Sequence, residues 1–139
     1  MIAYFDTSAI VPLLVEESGS ERANLLWNEA DRVVAARLVY AEGCAAVAMA
    51  ARLGRLDQAG LRIAIYELDQ LYRQMDIVEI SDEIVRRAGV LAEEHSLRGY
   101  DAVHLASAEA VSEDGFVLVT GDGSLLQAAS ALGLAVART

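Results

Sequence analysis

Four acidic residues, Asp6, Glu42, Asp101 and Asp122, are the side chains of this sequence best suited to chemistry. Carboxylate oxygens are the ligands that Mg²⁺ and Mn²⁺ prefer, in octahedral geometry, with water completing the shell. Four carboxylates gathered without a cation would repel one another and raise some of their own pKa values, so one magnesium site is the reading that accounts for all four. In phosphodiester hydrolysis such an ion lowers the pKa of a bound water, polarises the phosphoryl oxygen and steadies the leaving 3′ oxygen. Neither a histidine nor a serine nucleophile is required. Taken singly, Asp6, Asp101 and Asp122 each have an ordinary explanation as a helix cap or first-turn acid. Glu42 does not: it is expected inside its helix, with Leu38, Ala45 and Ala46 at i−4, i+3 and i+4, and so projects from an apolar stripe. An ionised glutamate there needs a partner.

The elements that would position these acids follow from the hydrophobic pattern. Short β-prone runs are expected at Ile2–Phe5, Val33–Ala36, Ile77–Ile80, Phe116–Val119 and Leu134–Ala137. Helices are expected at Ser8–Val15, with Pro12 tolerated only near the first turn, and at Ser20–Ala30, Leu38–Leu53 closed by Gly54, and Asp57–Met75. Three more follow: one behind Ser81, one beginning near Tyr100, and one from Ser124 to Leu132 ending at Gly133. Strands apolar on both faces, alternating with helices, indicate an α/β fold with a parallel sheet covered by helices. In such sheets ligands bind beyond the carboxyl ends of the strands, where strand order reverses. Asp6 directly follows the first strand and Asp122 lies three residues after the fourth. If those strands are neighbours, about 4.8 Å apart, the two carboxylates share one rim. Asp101 opens the helix that leads into the fourth strand.

Composition narrows the classes. A chain of 139 residues with 55% hydrophobic content is the size of one domain with a sizeable core, and residues 1–139 are expected to form one. The longest uncharged apolar run, Gly43–Ala51, is far short of the roughly 20 residues that span a bilayer, and the start MIAYFD has no basic region or cleavage site. A soluble, non-secreted chain is expected. Cys44 has no disulfide partner and reads as a small buried residue; with His95 and His104 it makes no zinc spacing. A net charge of −10 argues against a nucleic-acid partner until the metal is considered. Two divalent ions would reduce it to about −6 and reverse the local field where a phosphate sits. All 11 basic residues are arginine, which beside 25 alanines reads as genomic composition more than phosphate recognition.

The segments YFDTSAIV, RLVYAE, GYDAVHLASA and LVTGDGSLLQAASALGL carry a resemblance over nearly the whole length. The chain resembles PIN-domain proteins, and in particular the VapC-type ribonuclease toxins of bacterial toxin–antitoxin pairs. The resemblance implies a five-stranded parallel sheet in the order 3-2-1-4-5 with helices on both faces. It implies metal roles for Asp6, Glu42, Asp101 and Asp122, with Thr7, Ser8 and Thr120 as hydroxyl supports. It also implies a cytoplasmic, homodimeric, Mg²⁺- or Mn²⁺-dependent endoribonuclease that cleaves RNA and is silenced by a cognate antitoxin protein. On this reading Asp6 and Asp101 are direct ligands, while Glu42 and Asp122 orient waters or hold a second ion. Ala36 departs from the pattern, standing where relatives often carry a small hydroxyl residue.

Other residues have plainer readings. His104 could be taken as a general base, but a helix-face histidine hydrogen-bonding within its own motif is the simpler expectation. Trp27, Tyr40, Tyr66, Tyr72 and Tyr100 could stack on bases, though helical placement fits packing better. Arg86, Arg87 and Arg98, near the Asp101 motif, default to surface solvation. Among rival functions, receiver and haloacid-dehalogenase chemistry depends on a lysine that this chain lacks, and DTSAIV supplies no glycine-rich dinucleotide turn. The remaining rivals are a PIN-like domain that binds RNA or a partner without cutting, and a housekeeping PIN nuclease. The presence of all four acids argues against the first.

Overall fold

The computed structural model describes residues 1–139. In chain order its elements are β1 (Ile2–Phe5), α1 (Thr7–Leu14), α2 (Ser20–Glu29), β2 (Arg32–Ala36), α3 (Val39–Arg52), α4 (Gln58–Gln74), β3 (Asp76–Val78), α5 (Asp82–His95), α6 (Gly99–Ala110), β4 (Phe116–Thr120), α7 (Gly123–Ala131) and β5 (Val136–Arg138). The five strands form one sheet in the order β3-β2-β1-β4-β5, and every pairing is parallel. This is the architecture read from the sequence.

The two-residue period of the strands divides the core. Ala3, Phe5, Val33, Ala35 and Val119 point to one face, where they pack with Ile10 of α1, Leu26 of α2, Val47 of α3 and Leu68 of α4. Tyr4, Val34, Ala36, Phe116 and Leu118 point to the other and meet Leu91 of α5, Leu105 of α6 and Leu125 of α7. Burying each large apolar side chain contributes about 1.5–3 kcal/mol, which is why strands this short suffice. Gly43 brings α3 and α4 together, since a Cβ at that position would lie 2.8 Å from Leu68 Cδ2. No helix is long and apolar enough to cross a membrane.

Central β1 pairs with β2 on one side and β4 on the other, so strand order reverses beside β1. The register sets Phe5 against Val119, and the Asp6 amide then donates to the Val119 carbonyl at 3.3 Å. Asp6 therefore emerges beside Thr120 at the switch point.

Several local expectations are corrected. Strand β3 spans Asp76–Val78 rather than Ile77–Ile80, because it is an edge strand and pairs only with Val34–Ala36. Strand β5 spans Val136–Arg138, pairing with Leu118–Thr120, and Leu134 packs against the second core instead. Pro12 lies in the second turn of α1, beyond the first turn expected for it. The interruption is tolerated because α1 ends two residues later and the Pro12 carbonyl accepts the Ser20 hydroxyl at 2.7 Å. Glu42 lies inside α3, as expected, in its first turn behind the N-cap Leu38.

Candidate active site

Asp6 ends β1 and caps α1, and only 3% of it is exposed. Its Oδ1 accepts the Ser8 hydroxyl at 2.7 Å and the Ala9 amide at 3.1 Å, while Oδ2 accepts the Thr120 hydroxyl at 2.9 Å. Burial pushes its carboxyl up from 3.8 to about 6, against the opposing pull of His104 and the Ser8 and Thr120 hydroxyls. Thr120 Oγ1 also accepts the Asp122 amide at 3.0 Å, and Ser8 Oγ accepts the Gly121 amide at 2.8 Å. The start of α1 and the end of β4 are thereby clamped together.

Glu42 reaches the same rim from α3. Its Oε1 accepts the Thr7 hydroxyl at 2.7 Å and His104 Nε2–H at 2.5 Å. Burial alone would raise its carboxyl, but the His104 hydrogen bond and charge, followed by the Thr7 bond, hold it below the ordinary glutamate value. The other ring nitrogen, Nδ1, shares a hydrogen bond of 2.9 Å with the hydroxyl of Tyr4. Burial, with the nearby Asp6 charge, keeps the Tyr4 hydroxyl protonated well above the usual tyrosine range. His104 does hydrogen-bond, as expected, but to residues of other elements and not within its own motif. Linear spacing carries no sign of this, because Tyr4, Glu42 and His104 meet only when β1, α3 and α6 pack.

Asp101 and Asp122 share a different partner. Arg98, the N-cap residue of α6, donates through Nε to Asp101 Oδ2 at 2.7 Å, and its Nη2 lies 3.5 Å from Asp122 Oδ2. Asp122 also caps α7 through the Leu125 amide at 2.9 Å. Arg98 was assigned to surface solvation from the sequence; its i, i+3 spacing to Asp101 was the available signal.

The four acids thus come from α1, α3, α6 and α7 to one rim. No three of these acids and imidazoles converge as a ready-made ion cage, because Glu42 is turned toward His104 and Arg98 bridges the remaining pair. The donor set nevertheless fits a hard divalent ion: it is all oxygen, and Asp6 is a buried carboxylate in contact only with neutral donors. Every buried side-chain polar atom has a hydrogen-bond partner.

The residue pattern of the PIN domain matches residues 3–131 of this chain. This protein belongs to the PIN-domain family. Across 136 residues, 98% of this chain and 94% of the relative, the PIN sequence is 42% identical to ribonuclease VapC45 of Mycobacterium tuberculosis strain CDC 1551. Its PIN fold is similar to that of PAE2754 from Pyrobaculum aerophilum, with a TM-score of 0.72 at 24% identity over 98% of this chain and 83% of the other. It is also similar to Mycobacterium tuberculosis VapC20, a sarcin-ricin loop cleaving toxin, with a TM-score of 0.70 at 18% identity over 99% of both chains. These two structures share its fold.

Proposed function

We propose that this PIN-domain protein is a Mg²⁺- or Mn²⁺-dependent endoribonuclease of the VapC type, the toxin of a toxin–antitoxin pair. The observation that supports the reading is that Asp6, Glu42, Asp101 and Asp122 stand along the rim at the switch point, tied to their neighbours through Thr7, His104, Thr120 and Arg98. The 42% identity to a ribonuclease VapC over nearly the full length supports the RNA substrate.

Asp6 and Asp101 are assigned as direct ligands, with Glu42 and Asp122 orienting waters or holding a second ion. A bound ion supplies Lewis acidity toward the phosphodiester and an activated water. The chain supplies the rest. Ser8, Thr120 and the Ala9 amide fix both oxygens of Asp6, so its carboxylate needs no reorganisation to receive charge. His104 and Thr7 keep Glu42 ionised and hold its Oε1, leaving Oε2 to accept a proton or a water. Tyr4 fixes the orientation of that imidazole from inside the core. His104 is accordingly a positioning residue.

A homodimer, a cytoplasmic location and a cognate antitoxin are part of the same assignment. Metal-titrated cleavage of total RNA tests it. Cleavage should vanish in EDTA and return with Mg²⁺ or Mn²⁺; cleavage unaffected by chelation would contradict the assignment. Expression of the chain alone should arrest bacterial growth, whereas unimpaired growth with soluble protein would point to a housekeeping nuclease.

A further inference from the structure

We propose that Arg98 and Tyr100 form an exchangeable RNA clamp. Arg98 neutralises Asp101 and Asp122 in the metal-free protein, gives them up to the divalent ion, and then binds an RNA phosphate while Tyr100 stacks on an adjacent base. This inference rests on the metal-dependent ribonuclease reading.

The guanidinium donates to Asp101 Oδ2 and lies 3.5 Å from Asp122 Oδ2, the atoms that a cation arriving between them needs. A guanidinium does not discharge near neutral pH, so it must move away from a second cation placed beside it. It is built to move. Arg98 sits just outside α6 in extended backbone, and its side chain is 63% exposed. While paired with Asp101, the guanidinium also lies over the Tyr100 ring, its carbon 5.0 Å from the ring centre. That ring is 47% exposed, one residue before Asp101.

Arg37, also beyond a strand end, is bound by Glu79 and by the Tyr72 hydroxyl, and Arg87 is held through two hydrogen bonds to Glu109. Arg138, in register with Thr120 at the end of β5, makes no ion pair with the acids. In a chain of net charge −10, Arg98 is the arginine in contact with two of the four acids. Its planar fork suits two phosphate oxygens, and an exposed ring beside it suits an unstacked base of single-stranded RNA.

The clamp predicts opposite effects on metal and RNA. In Mn²⁺ titration calorimetry, Arg98→Met should bind the ion about fivefold tighter than wild type, because no resident cation has to be displaced. In cleavage kinetics at saturating Mn²⁺ its KM for RNA should rise about tenfold, with a smaller change in kcat, as a lost uniform contact requires. Tyr100→Leu should leave Mn²⁺ affinity unchanged and raise KM severalfold. Both side chains are exposed, and circular dichroism should show both variants folded. Unchanged or weaker Mn²⁺ binding by Arg98→Met would overturn the exchange, and an unchanged KM in both variants would overturn the RNA clamp. Absence of Mn²⁺ binding by wild type and variant alike would remove the metal reading itself, and the proposal with it.

Discussion

Asp6 and Asp101 lie on the same rim, yet one is fixed inside the fold by neutral donors while the other faces an exposed cation. Around Asp6, two hydroxyls and an amide occupy three acceptor positions, and the carboxyl is raised to about 6 by burial. Around Asp101 and Asp122 the neutralising group is an exposed guanidinium at the surface. Fixed dipoles preorganise a site and cannot leave it, whereas a guanidinium reaching in from solvent can be exchanged for another cation. The difference teaches that the proposed metal rim has a permanent half and a replaceable half.

The largest expected effect comes from the replaceable half losing its acid. Asp101→Asn should reduce RNA cleavage by about a thousandfold or more, and its expression should no longer arrest growth. Gel-based cleavage assays beside growth curves measure both.

On the permanent side, Thr120→Val removes the donor to Asp6 Oδ2 and the acceptor for the Asp122 amide. Two buried polar groups lose their partners, so urea denaturation should show a loss of about 2–4 kcal/mol. Thr120→Ser should recover most of it. A valine variant as stable as wild type would show that the clamp is not structural.

The pH dependence of stability sharpens the same contrast. Asp6 is raised from 3.8 to about 6, so the folded protein binds more protons than the unfolded chain between those values. The stability linked to that proton is fully present below 3.8 and is lost as pH rises through about 6. In metal-free protein Asp6→Asn does not titrate. Its amide can donate to Thr120 Oγ1 while its carbonyl keeps the Ala9 amide. The variant should therefore gain on wild type from pH 4 to pH 7, by up to about 3 kcal/mol, then level off. Thermal melts across that range decide the sign.

The smallest effect belongs to a control. Arg86 pairs with Asp82 at 2.8 Å with both side chains 79% exposed, a geometry close to that of Arg98 and Asp101 but far from the acids. Arg86→Ala should shift Tm by no more than about 2 °C and leave KM unchanged. An effect on KM equal to that of Arg98→Met would erase the distinction between the two arginines.

The elements and the parallel sheet are legible because two-residue and helical periods report directly on burial, whereas the strand order comes from the resemblance to PIN-domain proteins. Edge strands are less so, since β3 and β5 each pair with a single neighbour over three residues. Asp6 and Asp122 are helix caps that also stand on the rim of the proposed site, so the ordinary explanation and the functional one are not exclusive. Glu42 was singled out for its apolar surroundings. Its first-turn position weakens that argument, and contacts with Thr7 and His104 supply a better one. Those contacts, and the bridging role of Arg98, join residues up to 62 positions apart or depend on a rotamer. A linear pattern carries neither.

The central claim is that these acids act together on RNA through a divalent ion, and Asp6 tests it most directly because its surroundings are otherwise complete. Cleavage of total RNA by Asp6→Asn should be compared with wild type at saturating Mn²⁺, with circular dichroism confirming equal folding. The account predicts a folded protein that does not cut. Full cleavage by the folded variant would contradict it.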